Sequence, residues 1–297
     1  MALKTILVTG ANGQLGKSLQ ELSSQFCNRY HFIFTDVDTL DITDILSVRK
    51  TVTSYQVNYI INAAAYTAVD KAENEVEKAF LLNKTAVENL AIVAKEAHAM
   101  LVHISTDYVF DGKASTPYQV NDQPNPISVY GKSKWEGEQA IRAHGCNAAI
   151  IRTEWLYSPF GNNFVKTMLR LADTHDEINV VDDQIGAPTL AADLADFIMF
   201  LIDKIQIEKG VEIYHFANQG KISWCGFATK IMELANKKCQ VNPIPTNAYP
   251  TLAKRPNFSV FDLSKVTCNL HYDIPYWEES LVKILPRIIY NYEHNIL

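Results

Sequence analysis

The sequence predicts an α/β fold: a parallel sheet doubly wound with helices on both faces, with a smaller lobe toward the C-terminus. Two observations carry this. Short apolar runs alternate with longer helical patterns through the first half of the chain, the signature of β-α-β units. A glycine-rich segment sits at the first strand-to-helix junction, where such folds turn most tightly. The 297 residues suffice for one large domain or two unequal lobes.

Taken in order, Thr5 to Val8 reads as a first strand, and Leu15 to Leu22 opens a helix. His31 to Thr35, Tyr59 to Asn62, Leu101 to Ser105 and Ala148 to Arg152 read as further strands. They are apolar on both faces, which places them inside a sheet covered by helices. Val76 to Glu96 is a long stretch with apolar residues at helical spacing, and Tyr130 to Ala143 is a second. After Arg152 the texture changes: Pro, Gly and Asn become more frequent, and Trp155, Tyr157, Phe160 and Phe164 cluster. Ala191 to Ile202 reads as a helix and Ile213 to Ala217 as a strand, so both are expected to return to the sheet. The rest, including Thr246 to Leu263, is expected to be loop-rich and to form a smaller substrate lobe. The division expected is a dinucleotide-binding domain over residues 1–153, rejoined by 189–218, with an interleaved substrate-binding lobe in 154–297.

Composition narrows the function. An apolar fraction of 47% with 20% charged residues suits a globular protein with a large core. A net charge of −6 argues against nucleic acid as a partner, since phosphate backbones need a basic surface. No apolar run approaches the roughly 18 residues of a membrane span, and M-A-L-K-T-I-L-V-T-G reads as strand, not signal peptide. The five cysteines are odd in number and lack C-x-x-C spacing, which suits free thiols in the cytoplasm.

In T-G-A-N-G-Q-L-G, Gly10, Gly13 and Gly16 fall between the first strand and its helix. Glycines there allow a tight turn, close backbone approach to a pyrophosphate and close helix–strand packing, and the helix N-terminus offers free N–H groups. An ordinary βα turn would also contain glycine. Asp36, ending the second strand twenty residues after Gly16, favours the Rossmann-type dinucleotide reading, because a carboxylate there can accept from ribose hydroxyls. The segment Y-G-K-S-K sets Tyr130 and Lys134 one helical turn apart. A phenol with an ordinary pKa of about 10 exchanges protons poorly near neutrality, and a nearby ammonium is expected to favour its ionised form. Alone, the pair could be a surface Tyr–Lys contact. Ser105 and Thr106 end the fourth strand, at the sheet edge where open α/β folds bind ligands. Together with the glycine turn, in this order, these residues point to reduction of a carbonyl.

The same residues resemble the extended branch of the short-chain dehydrogenase/reductase family, and within it the dTDP-4-dehydrorhamnose reductases. The resemblance runs over nearly the whole chain. Its more specific segments are N-A-A-A-Y-T-A-V-D-K-A-E from Asn62, S-T-D-Y-V-F-D-G from Ser105, G-N-N-F from Gly161, D-Q-I-G-A-P-T from Asp183 and A-Y-P-T-L-A-K-R-P from Ala248. The resemblance implies NADH or NADPH as cofactor and reduction of a nucleotide-linked 4-keto sugar to dTDP-L-rhamnose. By position, it implies Gly13, Gln14 and Leu15 at the pyrophosphate, Asp36 at the ribose, and Asp41 with Ile42 at the adenine. Ala65, Tyr66 and Thr67 would lie along the nicotinamide half. Tyr130 would donate the proton, Lys134 would hold the nicotinamide ribose, and Thr106 would bind the reacting oxygen. Asp107 and Trp155 would contact the sugar, and the chemistry of Arg255 suits the substrate's diphosphate. Some members are joined by a magnesium ion held by glutamates, but the matching positions here are Ser18 and Ala192, poor ligands for a hard cation. A monomer, or a homodimer without a magnesium bridge, is therefore expected. Two other readings stay open: a reductase or epimerase of another nucleotide sugar, and a non-catalytic subunit like the regulatory subunit of methionine adenosyltransferase.

Overall fold

The computed structural model describes residues 3–204 and 210–294. The first half runs β1 (Lys4–Thr9), α1 (Gln14–Ser23), β2 (Tyr30–Thr35), α2 (Ile45–Ser54), β3 (Val57–Asn62), α3 (Val69–Ala72), α4 (Val76–Phe80), α5 (Ala86–Glu96), β4 (Met100–Thr106), α6 (Val129–His144) and β5 (Ala148–Thr153). There follow β6 (Leu156–Tyr157), α7 (Phe164–Ala172), β7 (Glu177–Val181), β8 (Ile185–Gly186), β9 (Thr189–Leu190), α8 (Ala191–Lys204), β10 (Val211–His215), β11 (Ile222–Ser223), α9 (Trp224–Leu234), β12 (Gln240–Ile244) and α10 (Trp277–Glu293).

Six strands form one parallel sheet in the order β10-β5-β4-β3-β1-β2. This is the Rossmann-type sheet the sequence predicts. The chain starts at β1, one strand in from the edge, runs out to β2, then crosses back to β3, so the direction reverses between β1 and β3, where such sheets open a ligand crevice. Successive residues of a strand face opposite sides, and both sides are apolar here. Ile6, Val8, Ile61, Val102 and Ile151 pack under Leu15 and Leu19 of α1 and Leu194, Phe197 and Ile198 of α8. Leu7, Ile60, Leu101 and Ile150 pack under Val48 and Val52 of α2, Leu90 of α5 and Ile141 of α6. A separate core of Val165, Leu169, Phe227, Ile231, Trp277, Leu281 and Leu285 holds α7, α9 and α10 together. Beside it lies the parallel pair β7–β12.

The structure departs from the sequence reading in several places, the first being the remainder of the C-terminal region: read as loop-rich, it holds the helices α7, α9 and α10, whose apolar faces build a core of their own. The helix α2, unforeseen, begins where Asp44 caps it by accepting from Leu46 N at 3.0 Å. The stretch Val76 to Glu96 is not one regular helix: a π-helical turn over Leu81–Thr85 separates α4 from α5. The extra residue turns Asn83 inward, where Oδ1 accepts from Tyr66 N at 2.9 Å and Nδ2 donates to Tyr66 O at 3.0 Å and Ser133 Oγ at 3.0 Å. That side chain ties the segment after β3 to α6, which is the tertiary reason for the bulge. The strand expected at Ile213 to Ala217 starts two residues earlier and ends at His215, its length set by pairing with Ala148–Arg152 of β5.

Candidate active site

At the C-terminal ends of β1, β3, β4 and β5 the strands open into a cleft of about 880 Å³. One end is built by the turn between β1 and α1. Gly10 has φ +68°, and a Cβ there would lie 2.6 Å from Ala64 N; a Cβ at Gly16 would lie 2.4 Å from Gly10 O. Only glycine fits either place. Gly13 caps α1 without a side-chain hydrogen bond, so the helix start faces the cleft with backbone N–H groups available to an anion. These residues suit the pyrophosphate of a dinucleotide. Gln14 and Leu15 line the same wall, and Gln14 Oε1 accepts from Ser158 Oγ and Asn163 Nδ2, both at 3.1 Å. Asp36 lines the cleft beyond β2, its carboxylate accepting from Asn12 N at 2.9 Å and Val37 N at 2.8 Å. Asp41 and Ile42 follow, and Ala65 with Thr67 line the wall above β3. Gly16 packs behind the turn, and the Tyr66 ring packs in a cluster with Tyr130, so neither side forms part of the cleft wall.

The other end belongs to β4, α6 and β5. Thr106 closes β4, and its Oγ1 donates to Asp107 Oδ1 at 2.8 Å and accepts from Tyr108 N at 3.2 Å. Ser128 caps α6 by accepting from Gly131 N at 3.1 Å, which sets Tyr130 in the first turn. Lys134 is buried one turn on, and its Nζ donates to Ile104 O at 2.6 Å. Thr106, Tyr130 and Lys134 thus line one wall of the cleft, as does Asp107. Burial pushes Lys134 down to about 8, opposed by Glu138. One expectation is corrected here. Burial pushes Tyr130 up to about 12, against a hydrogen bond with Thr106 and aided by Asp107. With the Lys134 ammonium turned to Ile104 O, desolvation of the phenol dominates, and Tyr130 is held protonated.

Trp155 lines the cleft at φ +46° and stacks on Trp224 with ring centroids 3.5 Å apart. Arg255 is not on the cleft wall: its guanidinium forks onto Asp70 at 2.6 and 3.1 Å and donates to Ala253 O at 3.1 Å. Beneath the site, Arg152 Nη2 and Nε donate to Glu138 at 2.8 and 3.0 Å, and Ser105 Oγ donates to the same carboxylate at 2.5 Å. Sequence reasoning missed Glu138, Arg152, Glu154, Ser259 and Asn163. For Glu154 a signal existed, since it follows β5 at the sheet edge that singled out Thr106. Ser18 donates to Gln14 O at 3.0 Å. Among the described residues there is no group of three or more His, Cys, Asp or Glu side chains able to hold a metal, and no helix long and apolar enough to cross a membrane.

Residues 4–289 match the model of a family described as the RmlD substrate binding domain. The chain belongs to this family. The dTDP-4-dehydrorhamnose reductase of Aggregatibacter actinomycetemcomitans is 43% identical over 287 residues, covering 94% of this chain and 97% of the relative. That of Escherichia coli (strain K12) is 39% identical over 289 residues, covering 94% and 96%. Among solved structures, the dTDP-4-dehydrorhamnose reductase of Bacillus anthracis str. Ames in complex with NADP matches with a TM-score of 0.91 at 41% identity, covering 96% of this chain and 99% of that one. The RmlD resemblance therefore spans sheet and lobe together, with the cleft between them.

Proposed function

We propose that this chain reduces the 4-keto group of dTDP-4-dehydro-6-deoxy-L-mannose to give dTDP-L-rhamnose, using NADH or NADPH. The observation that carries the reading is one cleft in which a glycine-built anion cradle and the Thr106–Tyr130–Lys134 wall face each other, in a chain 39–43% identical to reductases of that name. When bound, the nicotinamide supplies the hydride. Thr106 holds the carbonyl oxygen by its hydroxyl. Tyr130, protonated because it is buried, gives its proton to that oxygen as negative charge develops, since an unprotonated alkoxide in a dry site is costly. Lys134 holds the ribose hydroxyls and steadies the tyrosinate left behind. Asp107 and Trp155 contact the sugar. Gly10, Gly13, Gln14 and Leu15 hold the pyrophosphate, Asp36 the adenosine ribose, and Asp41 with Ile42 the adenine.

The same proposal takes residues 1–153 with 189–218 as the cofactor side and the rest of 154–297 as the side that closes over a nucleotide sugar. It places the enzyme in the cytoplasm, as a monomer or a homodimer without a magnesium bridge. Loss of nicotinamide absorbance on adding dTDP-4-dehydrorhamnose tests the reading directly. A panel of other keto nucleotide sugars, run alongside, identifies the substrate if that one is not turned over.

A further inference from the structure

Glu154 directly follows β5, at the level where Thr106 ends β4, because Thr106 and Thr153 are register partners. It is 2% exposed yet lines the cleft. One of its oxygens is held: Ser259 Oγ donates to Oε2 at 2.5 Å. A Cβ at Gly186 would come within 2.5 Å of that oxygen, so the glycine makes room for the carboxyl. The other oxygen, Oε1, is buried and has no hydrogen-bond partner among the described residues. A buried polar atom left unpaired costs folding energy and is retained where something else completes it. Trp155, next in the chain, holds a left-handed φ of +46° that is rare for a bulky residue. That strain accompanies the turn that puts both residues in the wall.

Asp107 supplies the second carboxyl. Burial pushes it up to about 7, and burial together with Asp107 pushes Glu154 well above the ordinary carboxylate range. The Ser259 hydroxyl lies by both and works against the rise of each. Tyr130 of α6 and Tyr108, beside Asp107, are the other titratable groups facing the pair, and both are pushed up by burial. Gly186, Ala187 and Ser259 bring no charge. Two buried carboxyls that raise one another do not both ionise readily; Asp107 accepts from Thr106 Oγ1, which favours its anion, while Oε1 of Glu154 has no donor, so the proton rests on Glu154.

Resting on the keto-sugar reductase reading, we propose that Glu154 is a specificity-determining residue whose protonated Oε1 donates a hydrogen bond to a hydroxyl of the substrate's hexose. Ser259 holds the far oxygen so that the proton faces the cleft. Raising the pH removes the donor, so KM for the sugar should rise with pH, and Glu154→Gln separates that rise from the titration of Lys134, which both proteins share.

The test is steady-state kinetics with dTDP-4-dehydrorhamnose on the wild type, Glu154→Ala and Glu154→Gln across pH, with NADPH binding measured as a check on folding. An amide keeps a donor at every pH. Glu154→Ala should raise KM about tenfold or more, the worth of one buried hydrogen bond. Glu154→Gln should recover most of that loss and flatten the rise of KM with pH. An unchanged KM in Glu154→Ala, or a Gln variant as impaired as Ala, overturns the proposal. If Glu154→Ala does not fold, the Gln profile decides alone: a wild-type rise of KM with pH would overturn it. If wild-type protein oxidises no NADPH with this sugar, the reductase reading itself has failed, an outcome separate from any difference among the variants.

Discussion

Tyr130 is held protonated by its own burial, with Thr106 beside it to position an oxygen. A phenol kept neutral at physiological pH is suited to giving up a proton as charge develops. Tyr130→Phe should therefore cut turnover roughly 10²–10⁴-fold, the usual share of a general acid, while the cofactor still binds. Near-normal turnover in that variant, with chemistry rate-limiting, would remove Tyr130 from the role. Asp36 decides a different matter. Two backbone N–H groups fix its carboxylate at the rim of the cleft, so it cannot easily swing away from a ribose 2′-phosphate. The nearest following cation, Arg49, is already forked onto Glu96 at 2.7 and 2.9 Å. NADH should serve at least as well as NADPH, and Asp36→Ala should move the ratio of kcat/KM toward NADPH. A wild-type preference for NADPH of about 100-fold, equivalent to two decades of transition-state stabilisation, would contradict this.

The element that matters most is α6. Tyr130, Lys134 and Glu138 recur at four-residue spacing on one face, and the last of them is clamped by Arg152 of β5 and Ser105 of β4. That clamp fixes the register of the helix against the sheet and so holds the phenol near Thr106. Glu138→Ala leaves Arg152 buried without its partner and should cost roughly 3–5 kcal/mol in denaturant unfolding. Replacing both residues by apolar side chains should restore much of it, and equal losses in the single and double variants would show that the charge is not the cause. The elements also show what the sequence makes legible. The strands and α6 were readable because apolar period and local caps are short-range signals. The break in the helix after β3 was not, because Asn83 bulges to reach Tyr66 and Ser133, partners that only the tertiary fold supplies. The α2 helix is hard to read because its β-branched residues blur the period, although Asp44 is a legible cap. In the site, the glycines and Tyr130 with Lys134 are local motifs. Glu154 and Ser259, 105 residues apart in sequence, meet only once the lobe has folded onto the sheet.

At the scale of the whole molecule, the buried ionisable groups oppose one another. Asp107 and Glu154 have native pKa values above their unfolded values near 4. They cost nothing below that pH and erode stability as the pH rises above it, Asp107 through about 7. His103 and His215 are held neutral, His215 pushed down to about 3 by burial and then by Arg152. They erode stability as the pH falls below about 6.5, where the unfolded chain takes up protons that the native one refuses. Glu154→Gln should thus raise Tm clearly at about pH 8 and little at about pH 4; the reverse dependence would show that the carboxyl is not a buried acid.

The order of strands has a further consequence, for how the protein is made. The strand β10, which covers β5, lies some sixty residues downstream, beyond the whole of α7 and α8. A nascent chain that has just completed β5 holds five strands of its sheet, with the edge of a strand that is buried throughout in the finished fold left unprotected. Such an edge is a template for pairing with another chain. A fragment ending near Thr153 should accordingly self-associate at concentrations where a fragment extended through Ala217 stays monomeric, and light scattering on the two would distinguish them. The late arrival of β10 makes the second half of the chain the guardian of the first during synthesis.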